Sequence, residues 1–165
     1  MICPIISGAA KDVTGADIGI LSHSIQRVLL ATDGSRPAMR ATQYAVLLAK
    51  LLGAELNAVY VDTGLEDLSV PEVCSLDTAP GDMEPGVRAL VVALELARTN
   101  DVLCAVEIVR GGVAARIVST AEKNHAGLIV LGDTGRTGLA RIALGSVAEA
   151  VVKASAIPVV VVKAE

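Results

Sequence analysis

The stretch Leu128-Ile-Val-Leu-Gly132-Asp-Thr-Gly135-Arg-Thr-Gly-Leu-Ala-Arg-Ile-Ala-Leu-Gly145-Ser146 decides how the chain is read. It passes from an apolar strand through a glycine-punctuated loop into a helix expected from Ser146 to about Ala154. Glycines let backbone N–H groups approach an anion closely. The first turn of a helix adds unpaired donors and a positive dipole end. Ser146 and Glu149 have the spacing of a capping box, which predicts that Ser146 caps this helix. The glycine spacing, Gly-x2-Gly-x9-Gly-Ser, is neither a Walker A loop nor the dinucleotide-binding Gly-x-Gly-x-x-Gly.

Upstream, strand-like and helix-like stretches alternate. Arg27 to Asp33 reads as a buried strand ending at the turn Gly34-Ser35. Ala38, Ala41, Ala45, Leu48 and Leu52 then recur at helical spacing. Ser35 is placed to cap that helix, Pro37 sits in its first turn, and Gly53 ends it. Ala54 to Val61 is a second strand, and 62–86 a long polar loop rich in Pro and Gly. A helix with Val87, Leu90, Val91, Leu94 and Ala97 follows, then a strand over Val102 to Val109. Another helix carries Ala114, Ile117, Val118 and Ala121. Beyond the quoted stretch, Pro158 to Lys163 is a last strand. This alternation predicts an α/β fold, a parallel sheet with helices on both faces and near-continuous apolar strands. Ligands of such sheets bind outside the carboxyl ends of the strands, where the strand order reverses. The expected domain covers 27–165, and 1–26 form an extension without clear periodicity.

Composition narrows the function. The chain has 165 residues, enough for one domain. Hydrophobic residues make up 53% and aromatic residues 1%, so the core is aliphatic. Tyr44 and Tyr60 alone cannot build the stacking platforms of single-strand nucleic-acid binding. A net charge of −4 gives no general attraction to nucleic acid or acidic membranes, and no apolar run reaches membrane-spanning length. Cys3, Cys74 and Cys104 lack metal-site spacing and read as reduced thiols in a cytoplasmic protein. His23 and His125 are isolated from further ligands, and Cys104 is expected in the core. Asp33 stands at a strand end, where it can face a ligand or cap a turn. Arg136 and Arg141 read equally as phosphate contacts or solvated charges.

The glycine pattern, with Arg136 to Arg141, Gly145 to Glu149, the closing Pro158 to Val162 and Asp33-Gly34-Ser35, resembles the universal stress proteins. The resemblance runs from Arg27 to Lys163. It implies a Rossmann-like, three-layer α/β domain with a five-stranded parallel sheet of order 3-2-1-4-5. It implies binding of ATP, or ADP or AMP, with at most slow hydrolysis and a regulatory output in stress response. The implied binding set is Ala31, Thr32, Asp33, Tyr60, Gly132, Asp133, Gly135, Arg136, Gly145, Ser146 and Val147. In it Gly132 and Gly135 would wrap ribose and phosphates. Gly145, Ser146 and Val147 would donate to phosphate oxygens. Asp33 would lie near the adenosine, and the end of the second strand, around Tyr60, would pair with adenine through its backbone. A homodimer through Pro158 to Lys163 is also implied. The chain departs from the family pattern at Asp133-Thr134, where the family often has Ser or Thr followed by a basic residue or His, at Gly127 and at Tyr60. Asp133 puts a carboxylate near phosphates, which a Mg²⁺ ion between them would turn into an attraction. Gly127 stands where the family has Asp, and Tyr60 where it has an aliphatic residue. Asp133 and Gly127 keep an alternative open, a dimeric interaction module on the same fold that binds no nucleotide.

Overall fold

The computed structural model describes residues 25–64, 84–135 and 144–163. Expectations for Cys3, His23, Cys74, Arg136, Arg141, most of the 62–86 loop and nearly all of the 1–26 extension lie outside them. The elements are β1 (Arg27–Ala31), α1 (Arg36–Leu52), β2 (Glu55–Asp62), α2 (Pro85–Thr99), β3 (Cys104–Arg110), α3 (Val113–Lys123), β4 (Leu128–Gly132), α4 (Ser146–Ala154) and β5 (Val159–Val162). All neighbouring strands are parallel, in the order β3-β2-β1-β4-β5. The alternation read from the sequence therefore gives the sheet it predicts.

Helix ends follow local chemistry. Ser35 caps α1, its side chain accepting from the Ala38 N–H. Pro37 occupies the first turn, where its missing N–H costs nothing, and Gly53 closes the helix at φ +62°. Glu84 caps α2 by accepting from the N–H groups of Gly86 and Val87 at 2.7 and 3.1 Å. At α4 the cap is Gly145, with no side-chain cap bond. The capping box expected of Ser146 and Glu149 is absent: Ser146 is already the first helical residue, and Glu149 pairs with Lys153.

The sheet divides the core in two. On one face α1 and α2 bring Ala41, Ala45 and Leu90 against Val28, Leu30 and Tyr60. On the other, α3 and α4 bring Ile117, Ala121 and Val151 against Leu29, Val59 and Ile129. Odd and even positions of β1 and β2 separate cleanly between these faces, as the period of a strand requires. Small alanines along α1 and α2 let the helices approach the sheet, and each fully buried Leu or Ile adds about 1.5–3 kcal/mol over leaving it exposed.

Expected burial on both faces holds for the central strands and fails at the edges. In β3 only Cys104, Glu107, Ile108 and Val109 are half-buried, and β5 is mostly half-buried. Val91 and Leu94 of the α2 stripe are substantially exposed, and Ala93 is buried on that helix instead. Cys104 is half-buried at the start of β3, against the edge of the core rather than inside it. Gly127 lies before β4, away from the strand's carboxyl end. A Cβ there would stand 3.0 Å from the Ile25 backbone, so this glycine lets the chain enter β1 closely packed.

Candidate functional site

The β1–α1 loop and the β4–α4 segment meet where β1 and β4 run side by side with their helices on opposite faces. This is the reversal point of the sheet. On the β1 side, Thr32 donates its N–H to Val59 O at 3.0 Å, holding the end of β1 against β2. Asp33 Oδ1 accepts the Ser35 N–H at 2.9 Å, so its carboxylate shapes the turn that starts α1. Its other oxygen faces Gly135: a Cβ on that glycine would stand 3.1 Å from Asp33 Oδ2. Asp33 therefore both caps the turn and borders the opposite loop.

On the β4 side, Asp133 donates its N–H to Val162 O, and its own carbonyl accepts the Gly145 N–H, both at 2.8 Å. The second bond closes the long loop on itself and sets the start of α4 beside the end of β4. A Cβ on Gly145 would lie 2.8 Å from that same carbonyl oxygen, so only glycine fits there without a shift. Gly132 is close-packed for a different reason. A Cβ there would meet Pro37 at 2.8 Å, so this glycine seats the first turn of α1 against β4.

Between these segments lies a cleft of about 460 Å³, within the few hundred to a thousand cubic ångströms usual for small-molecule sites. It brings together Ala31, Thr32, Asp33, Tyr60, Gly132, Asp133, Gly135, Gly145, Ser146 and Val147, ten of the eleven residues named from the sequence. The eleventh, Arg136, lies outside the described residues. Tyr60 borders the cleft while its ring sits in the core between the sheet and α2, so the ring is a core side chain. Asp33 and Asp133 are the charged groups among the described lining residues, and the start of α4, the positive end of its dipole, lines the same space. No side chain caps α4, and the residues of its first turn, Ser146 to Ala148, line this space.

Sequence reasoning missed the apolar wall. Val113 and Ile117 of α3, with Val59 and Val61 of β2, line one side of the cleft. Ile117 belongs to a stripe read only as core, although Gly111-Gly112 places the start of α3 at the carboxyl end of β3, where ligands of such sheets bind. Thr63 and Thr134 add hydroxyl groups to the lining. His125 lies ahead of β4, at the other end of that strand, and does not line the cleft. Among the described residues no group of three His, Cys, Asp or Glu side chains could hold a metal ion, and no helix is long and apolar enough to cross a membrane.

Residues 24–163 match the sequence model of the universal stress protein family. A universal stress protein of Methanocaldococcus jannaschii is 39% identical over 139 residues, 84% of this chain and 82% of that protein. Universal stress protein YxiE of Bacillus subtilis is 31% identical over 147 residues, 83% of this chain and 98% of its own length. Among solved structures, a universal stress protein in complex with cAMP superposes with a TM-score of 0.63 at 26% identity, over 84% of this chain and 97% of the other.

Proposed function

The chain belongs to the universal stress protein family, and on that premise we propose that it binds an adenine nucleotide, ATP foremost, in the cleft at the ends of β1 and β4. The observation that carries the reading is the Gly145–Asp133 contact. A position with no room for a Cβ holds an uncapped helix N-terminus against a loop, in a cleft of nucleotide size. The related structure in complex with cAMP supports the same ligand class.

In this reading the N–H groups of Ser146 and Val147, with the Ser146 hydroxyl, receive phosphate oxygens, while the Gly145 N–H, expected from the sequence to join them, is already given to the Asp133 carbonyl. Gly132, Gly135 and Arg136 border the phosphates and ribose. The wall of Val59, Val61, Val113 and Ile117 shelters the base beside the β2 backbone at Tyr60, and Ala31, Thr32 and Asp33 close the adenosine end. Mg²⁺ would sit between Asp133 and phosphate oxygens, both oxygen donors that this hard ion prefers. The cation would neutralise charge that otherwise repels the nucleotide.

The output is regulatory, with hydrolysis slow at most. Efficient phosphoryl transfer to water needs a group that orients the attacking water. Asp33, one of the two carboxylates among the described residues lining the cleft, already accepts the Ser35 N–H. The working unit is a cytoplasmic homodimer joined along Pro158 to Lys163, built on the domain 27–165 with 1–26 as its extension.

Denaturing freshly purified protein and identifying the released small molecules by mass spectrometry tests the proposal. ATP, ADP or AMP at near one per chain is expected. No nucleotide, followed by no binding of Mg²⁺-ATP at millimolar concentration, would turn the reading over to the interaction module, with Asp133 as the residue that keeps phosphates out.

A further inference from the structure

The first turn of α2 lines no part of the cleft, yet it touches two segments that do. Tyr60 borders the cleft from β2. Its ring lies where a side chain on Gly86 would stand, with Cδ2, Cε2 and Cζ at 2.3, 2.3 and 2.6 Å from that Cβ position. Gly34, the neighbour of Asp33, meets the same turn: at φ +77° it lies so close to Pro85 that a Cβ would be 2.5 Å from the Pro85 carbonyl oxygen. The turn itself is held by the Glu84 carboxylate, which accepts the N–H groups of Gly86 and Val87.

The ring of Tyr60 has little freedom to yield. It is 9% exposed and shares a core cluster with Val87 and Leu90, and such interiors are packed as densely as organic crystals. Along β2 the side chains alternate. Tyr60 points to the α1–α2 face, while Val59 and Val61 point to the α3–α4 face and line the cleft. Displacing the ring therefore moves the strand whose other side is the apolar wall.

We propose that Gly86 is a positioning residue of the nucleotide cleft: by giving the Tyr60 ring its seat, it sets where the β2 wall stands against the β1–α1 loop. The inference rests on the nucleotide reading above and extends it to a residue that touches no ligand. Because coupling between sites is reciprocal, nucleotide in the cleft must register at the Tyr60 ring.

The chain has two tyrosines and no tryptophan or phenylalanine. Protein labelled with 3-fluorotyrosine therefore gives two fluorine resonances, and Tyr44→Phe identifies them. Tyr44 is 42% exposed on α1. Saturating ATP is expected to shift the Tyr60 resonance and leave that of Tyr44 in place. Gly86→Ala is expected to weaken ATP binding by about tenfold, roughly the affinity equivalent of a modest repositioning. Adding Tyr60→Val to that variant is expected to return affinity to within about threefold of Tyr60→Val alone, since removing the ring removes the clash.

Three results would overturn the inference: a folded Gly86→Ala protein that binds ATP like wild type, a Tyr60 resonance unmoved by saturating ATP, or a folded double variant that stays weak. If Gly86→Ala alone does not fold, the double variant against Tyr60→Val carries the comparison. A wild-type chain that binds no adenine nucleotide would overturn the nucleotide reading itself, an outcome distinct from a wild type that binds beside an unaffected Gly86→Ala.

Discussion

Asp133 puts a carboxylate on the wall of a cleft read as a phosphate site, while its backbone holds that cleft together through Val162 and Gly145. Asp133→Asn keeps those backbone bonds and removes the charge. In chelator, its affinity for ATP is expected to rise by about fivefold, the ~1 kcal/mol that one partly screened charge at several ångströms exerts. With Mg²⁺ the gain should vanish or reverse, and calorimetric titration in the two buffers reads both signs. Equal affinity of variant and parent in chelator would place the carboxylate away from the phosphates. Cys104 shows burial acting on a single group. Desolvation pushes its thiol from an ordinary 9.0 to about 11, so the thiol stays protonated and slow to react near neutral pH. Since the folded state holds the proton more tightly, this contribution to stability is complete below about pH 9 and is lost as the pH rises through about 11. In a Cys3→Ser, Cys74→Ser chain, iodoacetamide at pH 8 should label the unfolded protein far faster than the folded one. Equal rates would contradict the burial.

Among the elements, α1 and α4 start in opposite ways. Ser35 caps α1 through its side chain, whereas α4 begins at Gly145 without a side-chain cap. Ser35→Ala is therefore expected to cost about 1 kcal/mol, the usual loss for a serine cap. Ser146→Ala should leave the unfolding midpoint nearly unchanged and weaken ATP binding. Thermal melts and titrations of the two variants check the contrast, and a destabilised Ser146→Ala protein would mean that the hydroxyl is structural after all. The same two helices show what the sequence makes legible. Ser35, Pro37 and Gly53 mark the ends of α1 because each acts locally. The range of α4 is read correctly as Ser146 to Ala154, but its cap is Gly145 rather than Ser146, because Ser-x-x-Glu spacing is silent about the Gly145–Asp133 contact, which is made with the far end of the loop. Periodicity finds Ile117 but cannot say that this side chain borders a cleft as well as the core. Gly132 lines the cleft and is also close-packed on Pro37, a contact between segments nearly a hundred residues apart that no local pattern announces.

For the whole molecule, the two edge strands differ in chemistry. Edge β3 carries Glu107 and Arg110, which pair with Lys123 and Asp62 and discourage pairing with another chain. Edge β5 is four consecutive valines, three of them only half-buried. An apolar, uncharged edge of that kind favours a second copy, so a homodimer through β5 is expected. Sedimentation should give twice 16.8 kDa, and Val160→Asp should give a folded monomer. A dimer unchanged by that substitution would move the interface elsewhere. The fold itself was legible at this scale because strand and helix alternate with their periods intact, and the order 3-2-1-4-5 follows once the family resemblance is granted. The half-open faces of β3 and β5 were not, since alternation along one strand says nothing about how far neighbouring helices reach over a sheet.

The most direct test of the account is calorimetric titration of nucleotide-stripped protein with ATP, in Mg²⁺ and in chelator, for wild type beside Gly145→Val. A Cβ at Gly145 would stand 2.8 Å from the Asp133 carbonyl, so the larger side chain must part the loop from α4. The account predicts one ATP per wild-type chain, stronger with Mg²⁺, and binding lost in a Gly145→Val protein that still shows its helices and strands by circular dichroism. Wild-type protein that binds no adenine nucleotide at millimolar concentration, or a Gly145→Val chain that binds as well as wild type, would contradict it.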